Sequence, residues 1–356
     1  TYRASFNVDF ASALGEYYSP ISIVDSNALA NPSAINGVAI NTSAYSTVLL
    51  HESILAYKKT FNKVHSINAT AVFGTQTNIY QTYVQNASGF GNDFTENYST
   101  ANATNRNVSS SKSKSQLDSY MGRVSYGYKD RYFIDFTARV DGSSKFGENN
   151  KYGFFPAVSG AWRMIGEEFF EKLTVFSDLK LRASYGVTGN AEAIGPYESL
   201  ATVEGLGYDY NLNHTLSIGI SPSGIPNPNL RWEKSSQYNI GLDIGLWNNR
   251  LSIIADYYNK RTDDLLFTKA LPMSSGYSTL TGNYGSIENK GMELALTARV
   301  LSGKLKWDVS GNITFNKNKV LELDGIQDEI ARSPYSILKV GQPMGVFKTY
   351  IADGIS

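Results

Sequence analysis

The side chains that could do covalent chemistry are few and far apart. The chain holds no cysteine and three histidines, His51, His65 and His214, too scattered to assemble a metal site by sequence proximity. Without cysteine there is no disulfide, no Cys-ligated zinc and no thiol nucleophile. Two adjacent carboxylate pairs, Glu167 with Glu168 and Asp263 with Asp264, are the nearest approach to an acid–base couple. Glycoside hydrolysis needs two carboxyls held ~5 to 9 Å apart across a bond. Neighbours at element ends read more simply as caps or turn residues. Phosphate-binding loops, nucleophile elbows and His-Glu-x-x-His helices are absent. The sequence therefore predicts no enzyme, no metal and no cofactor. Its 32 basic and 32 acidic residues cancel, which leaves no positive surplus to hold a nucleic acid.

The elements that carry the remaining polar residues are strands. From Gln237 to Trp247, Tyr238, Ile240, Leu242, Ile244 and Leu246 alternate with Gln237, Asn239, Gly241, Asp243 and Gly245. That is a period-2 segment with one dry face and one wet face. Across the turn Trp247-Asn248-Asn249-Arg250 the alternation resumes through Tyr258, and the asparagines tolerate positive φ, so the pair predicts a hairpin. The same design recurs around Tyr128-Lys129-Asp130-Arg131 and around Ser302-Gly303-Lys304. Weaker strands are expected over Phe6–Phe10, Val48–Tyr57, Ile67–Thr75, Val158–Met164 and Leu179–Val187, with one helical turn at Glu167–Leu173. The total is about eleven strands.

Short connections alternate with long ones rich in Asn, Ser, Thr and Gly, the latter expected over Asn86–Ser115, Asn190–Ser235 and Phe267–Ile287. Several Asn-x-Ser/Thr triplets there (Asn86, Asn97, Asn102, Asn107, Asn213) are what such a composition yields by chance. No stretch approaches the ~20 apolar residues of a spanning helix, but barrel strands escape hydropathy windows because their faces alternate. Strands of roughly 10 to 14 residues exceed the ~5 to 6 usual in soluble sheets and match a tilted crossing of a bilayer. Charges in mid-strand, Arg123, Asp135, Arg139, Arg182, Asp243, Asp256, Glu293 and Asp308, suit a wet lumen, although cross-strand pairing would account for them too. Aromatics near the strand ends (Tyr126, Tyr128, Tyr132, Trp247, Tyr257, Trp307) suit an interfacial girdle. The expectation is an all-β, transmembrane antiparallel β-barrel, against the alternative of a soluble β-rich adhesin or sugar-binding module. Three aromatics in the long polar segment, Tyr208, Tyr210 and Trp232, are candidates to touch a substrate or partner, or to pack the loop on itself.

Six blocks in order resemble the SusC/RagA family of TonB-linked outer-membrane transporters: Arg139 to Gly147; Tyr152 to Pro156 with Trp162-Arg163; Leu179 to Asn190; Asn227 to Lys234 with Tyr238 to Asp243; Asp256 to Lys260 with Thr262, Asp264 and Leu265; and Asn289 to Leu294. The closing stretch from Gly341 to Tyr350 is similar as well. The resemblance implies part of a 22-stranded, plugged barrel, with residues 1–356 one portion of that domain, opening at Thr1 without a visible signal peptide. Plug, TonB box and closing strands are expected to lie elsewhere. It further implies import of an oligosaccharide or peptide, a SusD-like surface lipoprotein as lid, energy from TonB, and contact with outer-membrane lipid. A lidless siderophore or vitamin receptor is the other transport reading.

Overall fold

A computed structural model describes residues 1–23, 37–170, 173–209, 216–325, 328–333 and 335–349. In chain order the strands are β1 (Tyr2–Ser19), β2 (Val38–Phe61), β3 (His65–Ser88), β4 (Asn105–Tyr128), β5 (Tyr132–Ser143), β6 (Tyr152–Arg163), β7 (Phe176–Asn190), β8 (Thr202–Asp209), β9 (Leu216–Gly224), β10 (Glu233–Leu246), β11 (Leu251–Asp263), β12 (Leu266–Ala270), β13 (Thr279–Asn283), β14 (Ser286–Ser302), β15 (Lys306–Glu322), β16 (Glu329–Ser333), β17 (Ser336–Lys339) and β18 (Val346–Phe347). Eleven of them form one sheet in the order β1-β2-β3-β4-β5-β6-β7-β10-β11-β14-β15. The hairpins β8–β9 and β12–β13 and the small sheet β16–β18 stand apart from it.

Tight turns make this order possible. Lys129 and Asp130 take φ of 52° and 53°, and Asn248 and Asn249 take 56° and 57°, left-handed geometry whose twist matches that of the flanking strands. Asn62 and Lys63 do the same between β2 and β3. Where β6 meets β7 the expected helical turn is two short 3₁₀ turns, Met164–Gly166 and Glu168–Phe170.

Three long connections differ from expectation. β3 continues to Ser88 and β4 begins at Asn105, so the first is 89–104; the second contains β8–β9 and the third contains β12–β13. Alternation detects a strand only when one face is dry. The first half of β4, Asn-Arg-Asn-Val-Ser-Ser-Ser-Lys-Ser-Lys, is exposed on both faces and carries no such signal.

The chain divides into two compact units. One comprises Ala4–Glu52 and Gly74–Leu117, with a small core of Ala39, Ala87, Phe90 and Ala103 against which Tyr18 and Ile21 pack. There the Tyr18 hydroxyl donates to Asp93 at 2.5 Å. The other comprises Thr1–Arg3, Ser53–Phe73 and Asp118–Ser356. Its strands β5-β6-β7-β10-β11-β14-β15 pair antiparallel in sequence.

Candidate functional site

The register of the larger unit sorts every side chain onto one of two faces. Phe133 pairs with Ala161, Ala161 with Arg182, Arg182 with Gly241, Gly241 with Asp256 and Asp256 with Glu293. Directly opposed residues share a face, and so do residues two apart on a strand. Asp135, Arg139, Arg182, Asp243, Asp256 and Glu293 therefore lie on one face, joined by Arg123 through its ion pair to Asp135. The opposite face is apolar and open: Phe136 and Ile240 are each 52% exposed, and Met292 is 60% exposed. Phe136, Val158, Tyr185 and Tyr238 oppose one another in turn across four strands, and a diagonal step from Tyr238 to Tyr257, 6.2 Å between centroids, leads on to Met292 opposite Tyr257. A contiguous apolar surface of this extent is untenable in water and is what a bilayer covers.

On the polar face Arg182 is the central cation. Its Nε lies 3.0 Å and its Nη2 2.7 Å from Asp243, while Nη2 also reaches Asp256 at 3.1 Å. Gly241 stands between them in the register. A Cβ there would fall 2.3 Å from an Asp256 carboxylate oxygen and 2.8 Å from the guanidinium, so only glycine lets the arginine cross β10. Arg123 Nη2 pairs with Asp135 at 2.8 Å, and Ser125 donates to the same carboxylate. Arg139 pairs with Asp141 at 2.7 Å and donates to Ser119 at 3.1 Å. Glu293 is exposed opposite Asp256.

Two open grooves run over this face. One of about 350 Å³ is lined by Arg123, Asp135, Thr137, Ser159, Thr188, Gln237, Asn239 and Lys260. The other, about 440 Å³, is lined by Phe133, Lys180, Arg182, Ser184, Gly241 and Asp256. Their uncharged members were not singled out in the sequence, although each occupies a wet position of the alternation. The grooves offer hydrogen-bond donors, acceptors and both charge signs to a polar solute.

The residues weighed for acid–base work are held otherwise. Glu167 accepts from the Tyr132 hydroxyl at 2.6 Å, from Trp162 Nε1 at 3.1 Å and from Arg131 at 3.2 Å. Those hydrogen bonds, Tyr132's foremost, and the arginine's charge hold its carboxyl below the ordinary range, the reverse of what a general acid needs. Asp264 pairs with Arg231 at 2.6 Å, and Asp263 with Arg261 at 2.8 Å. Among the described residues no group of three or more His, Asp and Glu could hold a metal ion.

Of the loop aromatics, Trp232 is 5% exposed. Its ring sits 4.7 Å from that of Phe146 and 5.4 Å from that of Phe155, and its Nε1 donates to the Lys151 carbonyl at 2.9 Å. It packs neighbouring connections together, its ring turned to Phe146 and Phe155. Burial follows from its setting in segment 227–233, which joins three connections. Gly147 N donates to Leu230 O at 3.0 Å, Asn227 Nδ2 to Thr281 O at 2.9 Å, and Asn283 Nδ2 to Arg231 O at 2.7 Å. Gly147 has to be glycine, since a Cβ would meet the Pro228 carbonyl at 1.9 Å. The backbone of Tyr208 pairs with Ser217 in β8–β9, and Tyr210 lies outside the described residues.

Residues 1–347 match the family model described as TonB dependent receptor-like, beta-barrel. The TonB-dependent receptor P39 of Formosa agariphila is 38% identical over 77% of this chain and 26% of its own length. The TonB-dependent receptor SusC of Bacteroides thetaiotaomicron is 38% identical over 60% of this chain and 22% of its own. Among solved structures, the RagAB peptide transporter superposes with a TM-score of 0.83 at 27% identity, over 96% of this chain and 37% of that one. The chain thus spans about a quarter of the length of these curated relatives. It belongs to the TonB-dependent receptor-like β-barrel family of the outer membrane, on the side of SusC and RagA.

Proposed function

We propose that this chain is part of the wall of a TonB-dependent importer that brings an oligosaccharide or peptide nutrient across the outer membrane, beneath a SusD-like surface lipoprotein lid. The observation that carries the reading is the polar face of the sheet, with its two open grooves, set against an apolar face fit for lipid. Mixed charges held in cross-strand pairs keep that face wet without giving it a single sign, which suits passage of a large polar solute more than capture of one ion. Similarity to SusC and to a peptide transporter supports import with a lid over a lidless siderophore receptor. Energy from TonB would act through parts of the polypeptide other than the strands described.

The test is to extract the full-length protein from native outer membranes in mild detergent and to identify by mass spectrometry what accompanies it. A stoichiometric lipoprotein with a bound glycan or peptide is the expected result, and the ligand's chemistry then names the substrate class. A barrel that comes out alone, binding an iron chelate, would overturn the lidded reading.

A further inference from the structure

The short-turn rim of the larger unit carries a charge pattern for which transport has no use. Four tight turns, 62–64, 129–131, 247–250 and 303–305, each hold an exposed cation: Lys63, Lys129, Arg250 and Lys304. None of the four makes an ion pair with a described residue, whereas Arg131, in the same turn as Lys129, is spent on Glu167. Asp130 is the one acid in these four turns; the remaining connection on this rim, from β6 to β7, adds Glu167, which Arg131 holds, and the exposed Glu168.

Aromatic residues border three of these four cations in the chain. Phe61, Tyr128 and Trp247 each end the strand or open the turn, and Lys129 Nζ stands 5.3 Å from the Tyr128 centroid. Along the rim the rings form a row: His65 to Tyr128 at 5.0 Å, Tyr128 to Tyr132 at 6.3 Å, Tyr132 to Trp162 at 6.4 Å with planes 8° apart, and Trp162 to Phe169 at 6.5 Å. Amphipathic rings settle at the depth where hydrocarbon gives way to headgroups, so the turn cations stand at the depth of the phosphates. The row is continuous with the apolar face that a bilayer covers, and in barrels of this kind short turns meet the inner leaflet, which is phospholipid.

We propose that this rim is a binding surface for anionic phospholipid, with Lys63, Lys129, Arg250 and Lys304 on the headgroup phosphates and the aromatic row fixing their depth. The surface holds the barrel at one height and prefers acidic to zwitterionic lipid. It rests on the membrane placement of the sheet and is independent of which nutrient passes.

The experiment titrates the full-length protein in neutral detergent with phosphatidylglycerol or phosphatidylcholine and counts retained lipid by native mass spectrometry. The unaltered protein is expected to retain phosphatidylglycerol preferentially, with the preference falling as salt rises. The variant K63Q/K129Q/R250Q/K304Q is expected to lose it, by roughly five-fold in affinity for each cation removed. Single variants K129Q and R250Q, at exposed turn positions, keep the test intact should the quadruple variant fold poorly, each losing its own increment. Equal retention of the two lipids by the unaltered protein, or an undiminished preference in the variants, would overturn the proposal.

Discussion

Trp232 shows what a single residue does for the loops. Its ring fills the space between Phe146 and Phe155, so Trp232→Ala is expected to cost about 3–5 kcal/mol, the range for emptying a buried aromatic site. Thermal unfolding of the full-length protein in detergent measures it. Trp232→Phe, which keeps a ring but leaves the Lys151 carbonyl without its donor, should cost less. On the polar face, Arg182→Gln leaves Asp243 and Asp256 without their shared cation. With these side chains a quarter to a third exposed, water repays part of the loss, and the expected destabilisation is about 1–2 kcal/mol. The triple change Arg182→Gln, Asp243→Asn, Asp256→Asn should recover most of it, because no uncompensated charge remains. The charged positions were legible in the sequence, since a full charge in mid-strand stands out against alternating apolar neighbours. Gln237, Asn239 and Lys260 were not marked as groove residues, because a polar side chain at a wet position is ordinary. Packing was one of the two readings open for Trp232, but its partners Phe146 and Phe155 were illegible, because they are remote in sequence and meet it only through the loop hydrogen bonds.

Among the elements, the hairpins β4–β5, β10–β11 and β14–β15 were legible from alternation meeting at a turn, because both signals are local. β8–β9, β12–β13 and the outer half of β4 were not: that half of β4 is wet on both faces and leaves no period to read, and β12 and β13, of five residues each, are too short to establish one. The connection from β6 to β7 offers a pH test. Glu167, 14% exposed and bound by Tyr132, Trp162 and Arg131, has its carboxyl held below the ordinary value of 4.5. A depressed folded pKa contributes stability that is complete above 4.5 and is lost as the pH falls through the folded value. The melting temperature of the unaltered protein should therefore drop in that acid window more steeply than that of Glu167→Gln, whose amide does not titrate. Parallel curves would show that the three hydrogen bonds contribute nothing to holding the turn.

For the whole molecule the central claim is that the sheet is a membrane wall with one face to lipid and one to water. Family membership was legible in six ordered blocks, several of which have structural duties: Asn227 to Glu233 stitches the loops, and Asp256 completes the arginine network. Which solute would pass along the polar face was not legible, because that face balances its charges and marks no single ligand chemistry. The most direct test uses the chain's lack of cysteine. Single cysteines are placed in turn at positions 237, 238, 239, 240, 242 and 243 of β10, sparing Gly241, in full-length protein otherwise free of reactive thiols, and labelled in intact outer membranes. Positions 238, 240 and 242 should react with a lipid-dissolved maleimide and resist a charged, membrane-impermeant one. Positions 237, 239 and 243 should do the opposite. Labelling of both sets by the impermeant reagent, or any pattern without the two-residue period, would contradict the account.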